Sequence, residues 1–423
     1  MKCNFFLLMI VIPFAADAFD FSKTLSLYGP LKQGIHSLKV DKYISNFREP
    51  LSIEDLPRKY LNNVRFWRDI YSYFDSSNIL IHSKNDLSNV FEIINLTNLY
   101  SSEKNRIVAE IKKNRLMHNR LQKIKNDIIN CYQTNYCKFQ INKNRPVSEY
   151  LKGLRTQTGQ LDILKQGIKR FNPYKKTFKH IINLTKSNPD WLAIPFLESS
   201  FNSKAISKVG ATGAWQIMSY VGKRLMPINN YVDTRKNPVL SAYAGLKILR
   251  QNRIITKNED ISIISYNSGL KNYFNLKKKI NKNKITTGEY LELSRRKNKS
   301  FSFASENFLL EYYAMKEFLK REKILGPTEH ADTNSKDVFS PFISRCKTRP
   351  SKVISLLKKH NNNSKHFNNH FRKKYYNRVL PPGQIYLSSV DLPAKYYKKI
   401  IIKRIDDMPP LKWKASYNNC SII

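Results

Sequence analysis

Along the middle of the chain apolar residues recur three and four positions apart, the spacing that lines one face of a helix. This pattern predicts helices over 151–157, 161–170, 174–184, 241–251, 261–268 and 303–320. The stretch 191–201 predicts another. It is opened by Asn188-Pro189-Asp190, where the fixed backbone angle of proline and the side-chain acceptor of aspartate both suit a helix start. Ahead of this region the pattern is mixed: 64–71 reads as an amphipathic helix, and 78–82 with 90–94 reads as two short strands joined by a polar turn. Residues 102–130 carry Ile107, Ile111, Leu121, Ile124 and Ile128 among many charges, as one long surface helix would. Past Glu329 the chain turns polar and basic, with 361–369 resembling a linker and 379–387 and 390–393 reading as extended segments. The fold class predicted is mainly α (α+β): a small helix-and-hairpin region at 19–145, a helical catalytic domain at 146–325, and an irregular basic C-terminal extension at 326–423.

The residue in 191–201 with chemistry to offer is Glu198. At helical period it shares a face with Trp191, Ile194, Leu197 and Phe201. A carboxylate among apolar neighbours is poorly hydrated, which raises its pKa toward the range where it donates a proton at neutral pH. Periodicity alone leaves two other readings open: a core carboxylate satisfied by hydrogen bonds, or a helix rolled so that Glu198 meets solvent. Between Ser199 and Val232 there is no Asp or Glu, so a second carboxylate would have to come from Asp233, Glu259 or Asp260.

The order of motifs narrows this. Glu198-Ser199-Ser200-Phe201-Asn202, Ala205-Ile206-Ser207, the run Gly210 to Met218 containing Gly213 and Gln216, and Ser265-Tyr266-Asn267-Ser268-Gly269 together resemble the ordered motifs of family 1 lytic transglycosylases. Asp233-Thr234-Arg235 with Asn237-Pro238, and the segment from Phe303 to Phe308, are similar to those of the membrane-bound lytic transglycosylase D branch. The resemblance implies a goose-type lysozyme-like fold and cleavage of peptidoglycan glycan strands without water. A single acid then suffices, because the 6-hydroxyl of N-acetylmuramic acid attacks its own anomeric carbon and leaves a 1,6-anhydro end. Carried over by position, Glu198 is the acid and base, Ser207 and Gln216 hold the substrate, Met218 lines the groove, and Tyr266 with Asn267 faces the carboxylate. No metal and no cofactor are expected.

The ends and the charge set the expected compartment and partners. Met1-Lys2, an apolar run over 5–16 and Ala16-Asp17-Ala18 read as a secretory signal at 1–18, with an uncleaved anchor as the alternative. Export to the periplasm or cell envelope of a bacterium follows. The formal net charge of +42 is spread along the chain and favours polyanions. Export makes nucleic acid the least expected of these and leaves anionic wall polymers or a membrane surface beside the glycan strands. Cys131 and Cys137 lie close enough for a local disulfide in an oxidising compartment, with free buried thiols as the alternative. Their spacing fits no standard zinc finger. His360, His366 and His370 lie among Asn and Lys and read as a solvated, weakly ordered segment.

Overall fold

The structure is a computed structural model that describes residues 56, 58–97, 99–113, 115–134, 143–280, 285–297, 303–325, 337–400 and 420–422. The signal at 1–18, the lead at 19–41 and Cys137 lie outside the described residues. The chain is mainly α with small sheets, as the periodicities predict. Among the described residues no helix is long and apolar enough to cross a membrane. Two compact units form. One holds the described residues up to Ile163 with Thr287–Phe318, the other holds Leu164–Thr286 with the described residues from Leu319 onward.

In the first unit, helix Arg58–Ser72 precedes strands Asn78–Ser83 and Val90–Asn95, which pair antiparallel with Ile79 opposite Ile94 and a bulge at Ile81/His82. A third strand, Leu154–Thr158, pairs with the other edge of Asn78–Ser83. The sequence pattern assigned these residues to a helix over 151–157. Pairing overrides the helical pattern here, because the open edge of strand Asn78–Ser83 supplies backbone partners and β-branched Thr156 is freer at χ1 in a strand than in a helix. The expected long helix at 102–130 is two, Ser101–Lys112 and Arg115–Gln133. Ile107, Ile124 and Ile128 from them bury against Ile79, Ile81 and Phe91 of the sheet.

In the second unit, helix Pro238–Thr256 packs against Lys175–Thr185 and Glu259–Ser268, and the short helix Ala193–Ser199 carries Glu198. The C-terminal region belongs to this unit and is built rather than irregular. Strands Ser340–Ser344, Ile385–Ser388 and Tyr397–Lys399 form an antiparallel sheet, and Cys346 is bonded to Cys420. The stretch read as a linker contains helix Ser364–Phe367, whose Phe367 is fully buried, stacks on Phe339 at 3.6 Å and meets Tyr174 at 4.6 Å. Asparagine dominates this stretch, so its one large apolar residue gave no periodic signal. Cys131 is disulfide-bonded.

Candidate active site

Glu198 owes its position to the way its helix starts and stops. Asn188, rather than Asp190, caps the start: its side-chain oxygen accepts the backbone N–H of Asp190 at 3.0 Å. A 3-10 turn, Pro189–Leu192, leads into helix Ala193–Ser199. The helix ends because Ser200 and Phe201 both take left-handed backbone angles, at φ 49° and 58°. Those angles are unfavourable for residues with side chains, and tertiary contacts hold them. Arg170 donates to the Ser200 carbonyl at 3.0 Å, and the Phe201 ring sits 5.0 Å from that of Phe171 and 5.5 Å from those of Phe178 and Phe196.

This turn changes the face expected for Glu198. The helix has seven residues; Ala193, Ile194, Pro195, Phe196 and Ser199 are buried, while Leu197 and Glu198 are half-buried at the margin. The carboxylate stands at the edge of the apolar face instead of within it, since the 3-10 lead-in and the left-handed exit break the phase that a continuous helix would keep from Trp191 to Phe201.

A loop is fastened to the end of this helix. The buried Ser199 hydroxyl donates to the Ala214 carbonyl at 3.1 Å and accepts the backbone N–H of Asn202 at 2.9 Å. Thr212 bridges both Ile206 and Ile217, folding 205–217 into a small irregular hairpin. Ser207 closes its turn: its N–H donates to the Ala211 carbonyl at 2.8 Å, and its hydroxyl accepts from Ala211 N at 2.9 Å. Gln216 is left-handed at φ 44°, and its amide nitrogen donates to the carbonyls of Gly213 at 2.8 Å and Ala205 at 3.3 Å. Met218, half-buried, stands at the residue before helix Ser219–Leu225 and makes no side-chain capping bond there.

Arg235 holds the hairpin from beneath. Its Nη1 donates to the carbonyls of Gly210 at 3.0 Å and Ile217 at 3.1 Å, while Nε and Nη2 grip the two oxygens of Asp233 at 3.0 and 2.9 Å. The planar guanidinium suits this task, because one rigid fork serves a carboxylate and two carbonyls at once. Backbone packing is equally close. A Cβ on Gly213, whose φ is 82°, would stand 1.8 Å from the Arg235 carbonyl oxygen. The Asp233–Arg235 segment is in turn tied to the C-terminal region: Asp233 N donates to the His370 carbonyl at 3.0 Å, and Asn237 Nδ2 donates to Phe367 O and meets His370 Nδ1 at 3.1 Å. His370 Nε2 meets the Ile385 carbonyl at 3.0 Å, so both ring nitrogens are engaged in a buried structural role.

Tyr266 closes the arrangement. It lies on helix Glu259–Ser268 and its hydroxyl donates to the Trp215 carbonyl at 2.7 Å. Burial, and then the charge of Glu198, push its pKa well above the usual phenol value, so the two side chains interact electrostatically. Asn267 follows it, half-buried. The Trp215 ring is fully buried against Gly245, where a Cβ would stand 2.2 Å from the indole. Of the carboxylates considered as partners for Glu198, both oxygens of Asp233 are held by Arg235. Glu259 accepts from Trp191 Nε1 and Asn188 Nδ2 and pairs with Arg253 at 3.0 Å. Asp260 is buried in the first turn of its helix.

The structure thus gathers Glu198, the 205–217 hairpin with Ser207 and Gln216, and Tyr266 around one another through the Ser199–Ala214 and Tyr266–Trp215 hydrogen bonds. Sequence reasoning carried Asp233 and Arg235 as a motif without a role. It also missed Gly245, because a glycine in the middle of a helical pattern gives no sign of what will rest on it. Residues 185–288 match the family described as "Transglycosylase SLT domain". No curated protein matches the chain.

Proposed function

We propose that this chain, a peptidoglycan lytic transglycosylase of family 1 by the domain at residues 185–288, cuts the β-1,4 bond between N-acetylmuramic acid and N-acetylglucosamine with Glu198 as its single acid and base. Glu198 protonates the leaving glycosidic oxygen as the bond to the muramyl anomeric carbon breaks. The resulting carboxylate takes the proton of the muramyl 6-hydroxyl while that oxygen bonds to the anomeric carbon, so the product is a 1,6-anhydro end and no water is consumed. The observation that carries this reading is the engagement of Asp233 by Arg235 and of Glu259 by Trp191, Asn188 and Arg253. A hydrolase of the usual kind needs a second free carboxylate within about 10 Å of the first. Ser207, Gln216, Met218, Tyr266 and Asn267 hold the sugar against the acid, and the likeness of the flanking motifs supports a place in the D branch.

Digestion of purified sacculi followed by mass spectrometry tests the reaction. The expected products are lighter by one water than those of a lysozyme, and Glu198→Gln lowers the rate by about 10²- to 10⁴-fold, the usual contribution of a general acid. Products carrying the added water would mean a lysozyme-type hydrolase. An unchanged biological effect of Glu198→Gln would mean a non-catalytic wall-binding protein.

Export belongs to the same proposal, supported by the basic and apolar start of the chain and by the Cys346–Cys420 disulfide, since such bonds persist in oxidising compartments. The net charge of +42 supports attraction to anionic wall polymers or a membrane surface. Sedimentation with sacculi is expected to fall steeply between low and high salt, as screening shortens the reach of that attraction; retention unchanged at high salt would remove charge from the account.

A further inference from the structure

Between Val338 and Val390 there is no Asp or Glu, while Lys and Arg occur eleven times. The stretch is folded all the same: strands Ser340–Ser344 and Ile385–Ser388 pair antiparallel, and helix Pro350–Lys358 packs on them through Val353, Ile354 and Leu357. Its cations are therefore not neutralised from within. Three of them form a row. Cys346 and Thr348 are fully buried, so at strand period Arg345, Lys347 and Arg349 turn to the opposite side. Lys347 is exposed; the two arginines are half-buried, and the Nε of each is shut off from water with no hydrogen-bond partner among the described residues. None of the three pairs with a carboxylate there.

A guanidinium that has given up part of its hydration without gaining a partner is stabilised by an anion from outside the chain. Its planar fork matches the oxygens of a phosphate. Apolar side chains face water beside this row. The pairing of Thr348 with Leu380 sets Val379 next to Arg349, and helix Pro350–Lys358 follows at once, with Lys352 and Leu356 one turn apart on its exposed face. Val379 is 45% exposed and Leu356 52%, although large apolar side chains are mostly buried when they serve only the fold.

We propose that Arg345, Lys347, Arg349 and Lys352, with Val379 and Leu356, form a face that docks this chain on a membrane rich in anionic phospholipid. Lipid phosphates meet the cations, and the apolar tips reach the boundary of the acyl chains. A hydrated wall polymer would supply anions and leave Val379 and Leu356 in water, so the apolar pair favours the membrane. The inference rests on the attraction to anionic surfaces proposed above, which it narrows to one face and one partner; it is independent of the reaction at Glu198.

The test is co-sedimentation of the full chain with vesicles of phosphatidylcholine alone and of phosphatidylcholine mixed with phosphatidylglycerol. Binding is expected only to the mixed vesicles. Arg345→Gln, Lys347→Gln, Arg349→Gln together are expected to weaken it on the order of 100-fold, at roughly fivefold for each cation near an anionic surface. Removing the same charge elsewhere, by Lys277→Gln, Lys278→Gln, Lys279→Gln on the exposed side of helix Leu270–Ile280, is expected to weaken it much less. Equal losses in the two variants would overturn the face and leave net charge as the cause. Because the arginines are half-buried, Lys347→Gln with Lys352→Gln, both exposed, provides a variant expected to keep its thermal midpoint and still bind more than tenfold more weakly. Leu356→Ser with Val379→Ser is expected to weaken vesicle binding about tenfold and to leave binding of long-chain inorganic polyphosphate unchanged. Equal loss on both probes, or binding of polyphosphate without binding of mixed vesicles, would overturn membrane docking. Salt-sensitive retention on sacculi with no vesicle binding would likewise overturn it, while leaving the general attraction to anionic surfaces standing.

Discussion

Tyr266 donates its hydroxyl to the carbonyl oxygen of Trp215 at 2.7 Å, and the residue before that carbonyl, Ala214, accepts the hydroxyl of Ser199 at 3.1 Å. Two hydrogen bonds on consecutive peptide groups therefore fix the loop between the helix of Glu198 and the helix of Tyr266. Because burial and the charge of Glu198 hold the Tyr266 pKa well above the ordinary phenol value, the hydroxyl stays a donor throughout the neutral range. Tyr266→Phe is expected to cost about 1–3 kcal/mol of stabilisation at this point, a loss of about 5- to 150-fold in kcat/KM if all of it is felt in the transition state. The basic limb of the pH profile should stay where it is, since the phenol does not titrate there. A variant with wild-type kinetics would show that the bond to Trp215 is dispensable.

Arg235→Lys keeps the charge and loses the fork. One ammonium cannot serve Asp233 and the carbonyls of Gly210 and Ile217 together. Breaking such a buried set is expected to cost about 3 kcal/mol in denaturant unfolding. Burial by itself would raise the Asp233 pKa, but the hydrogen bonds and charge of Arg235 outweigh it, and the net value lies below the usual carboxylate range. The stability this provides is complete above the ordinary carboxylate pKa and is lost as pH falls through the depressed one. Denaturation at a series of acid pH values should show that loss in the wild type and not in Asp233→Asn.

Gly245→Ala tests the seat of Trp215. The added methyl would meet the indole at 2.2 Å, too close for any small adjustment. The expected cost is about 1–3 kcal/mol, with activity falling alongside because the Trp215 carbonyl shifts from Tyr266. Combining Gly245→Ala with Trp215→Phe, which frees space beside the helix, is expected to recover part of the thermal midpoint. No recovery would place the strain elsewhere.

His370 makes stability depend on acid in a defined window. Burial lowers its pKa to about 4, outweighing the bond to the Ile385 carbonyl that favours the charged form. In the unfolded chain it titrates near its ordinary value, about 6.5. Between these values the unfolded chain binds a proton that the folded site rejects, so stability is full above about pH 6.5 and declines as pH falls toward about 4, by on the order of 3 kcal/mol. His82, also buried and lowered to about 4, contributes in the same direction within its own unit. Buried Glu311, whose pKa is raised to about 8, contributes with the opposite sign, so the histidine terms are read as differences from the wild type. Unfolding followed from pH 7 to pH 4 should lose less stability in His370→Asn, and in His82→Asn, than in the wild type. A pH dependence identical to the wild type in either variant would contradict that histidine's part.

The sequence by itself determined the helical class, the order of the motifs and Glu198 as a candidate acid, because helical period and local spacing are properties of neighbours along the chain; Gln216 and Tyr266 became candidates through the resemblance of those motifs to family 1 lytic transglycosylases. It also showed the hairpin strands 78–82 and 90–94, whose short apolar runs either side of a polar turn are local in the same way. It did not show that Leu154–Thr158 is a strand, that Asn237 and His370 meet across 133 residues, or that Arg235 supports the loop of Gln216. Only the tertiary structure decided these, and it also moved Glu198 from the middle of the apolar face to its margin. The physical reason is that left-handed turns at Ser200 and Phe201, an edge strand's free hydrogen bonds and the reach of one guanidinium are all settled by partners far away in sequence, which no window along the chain contains.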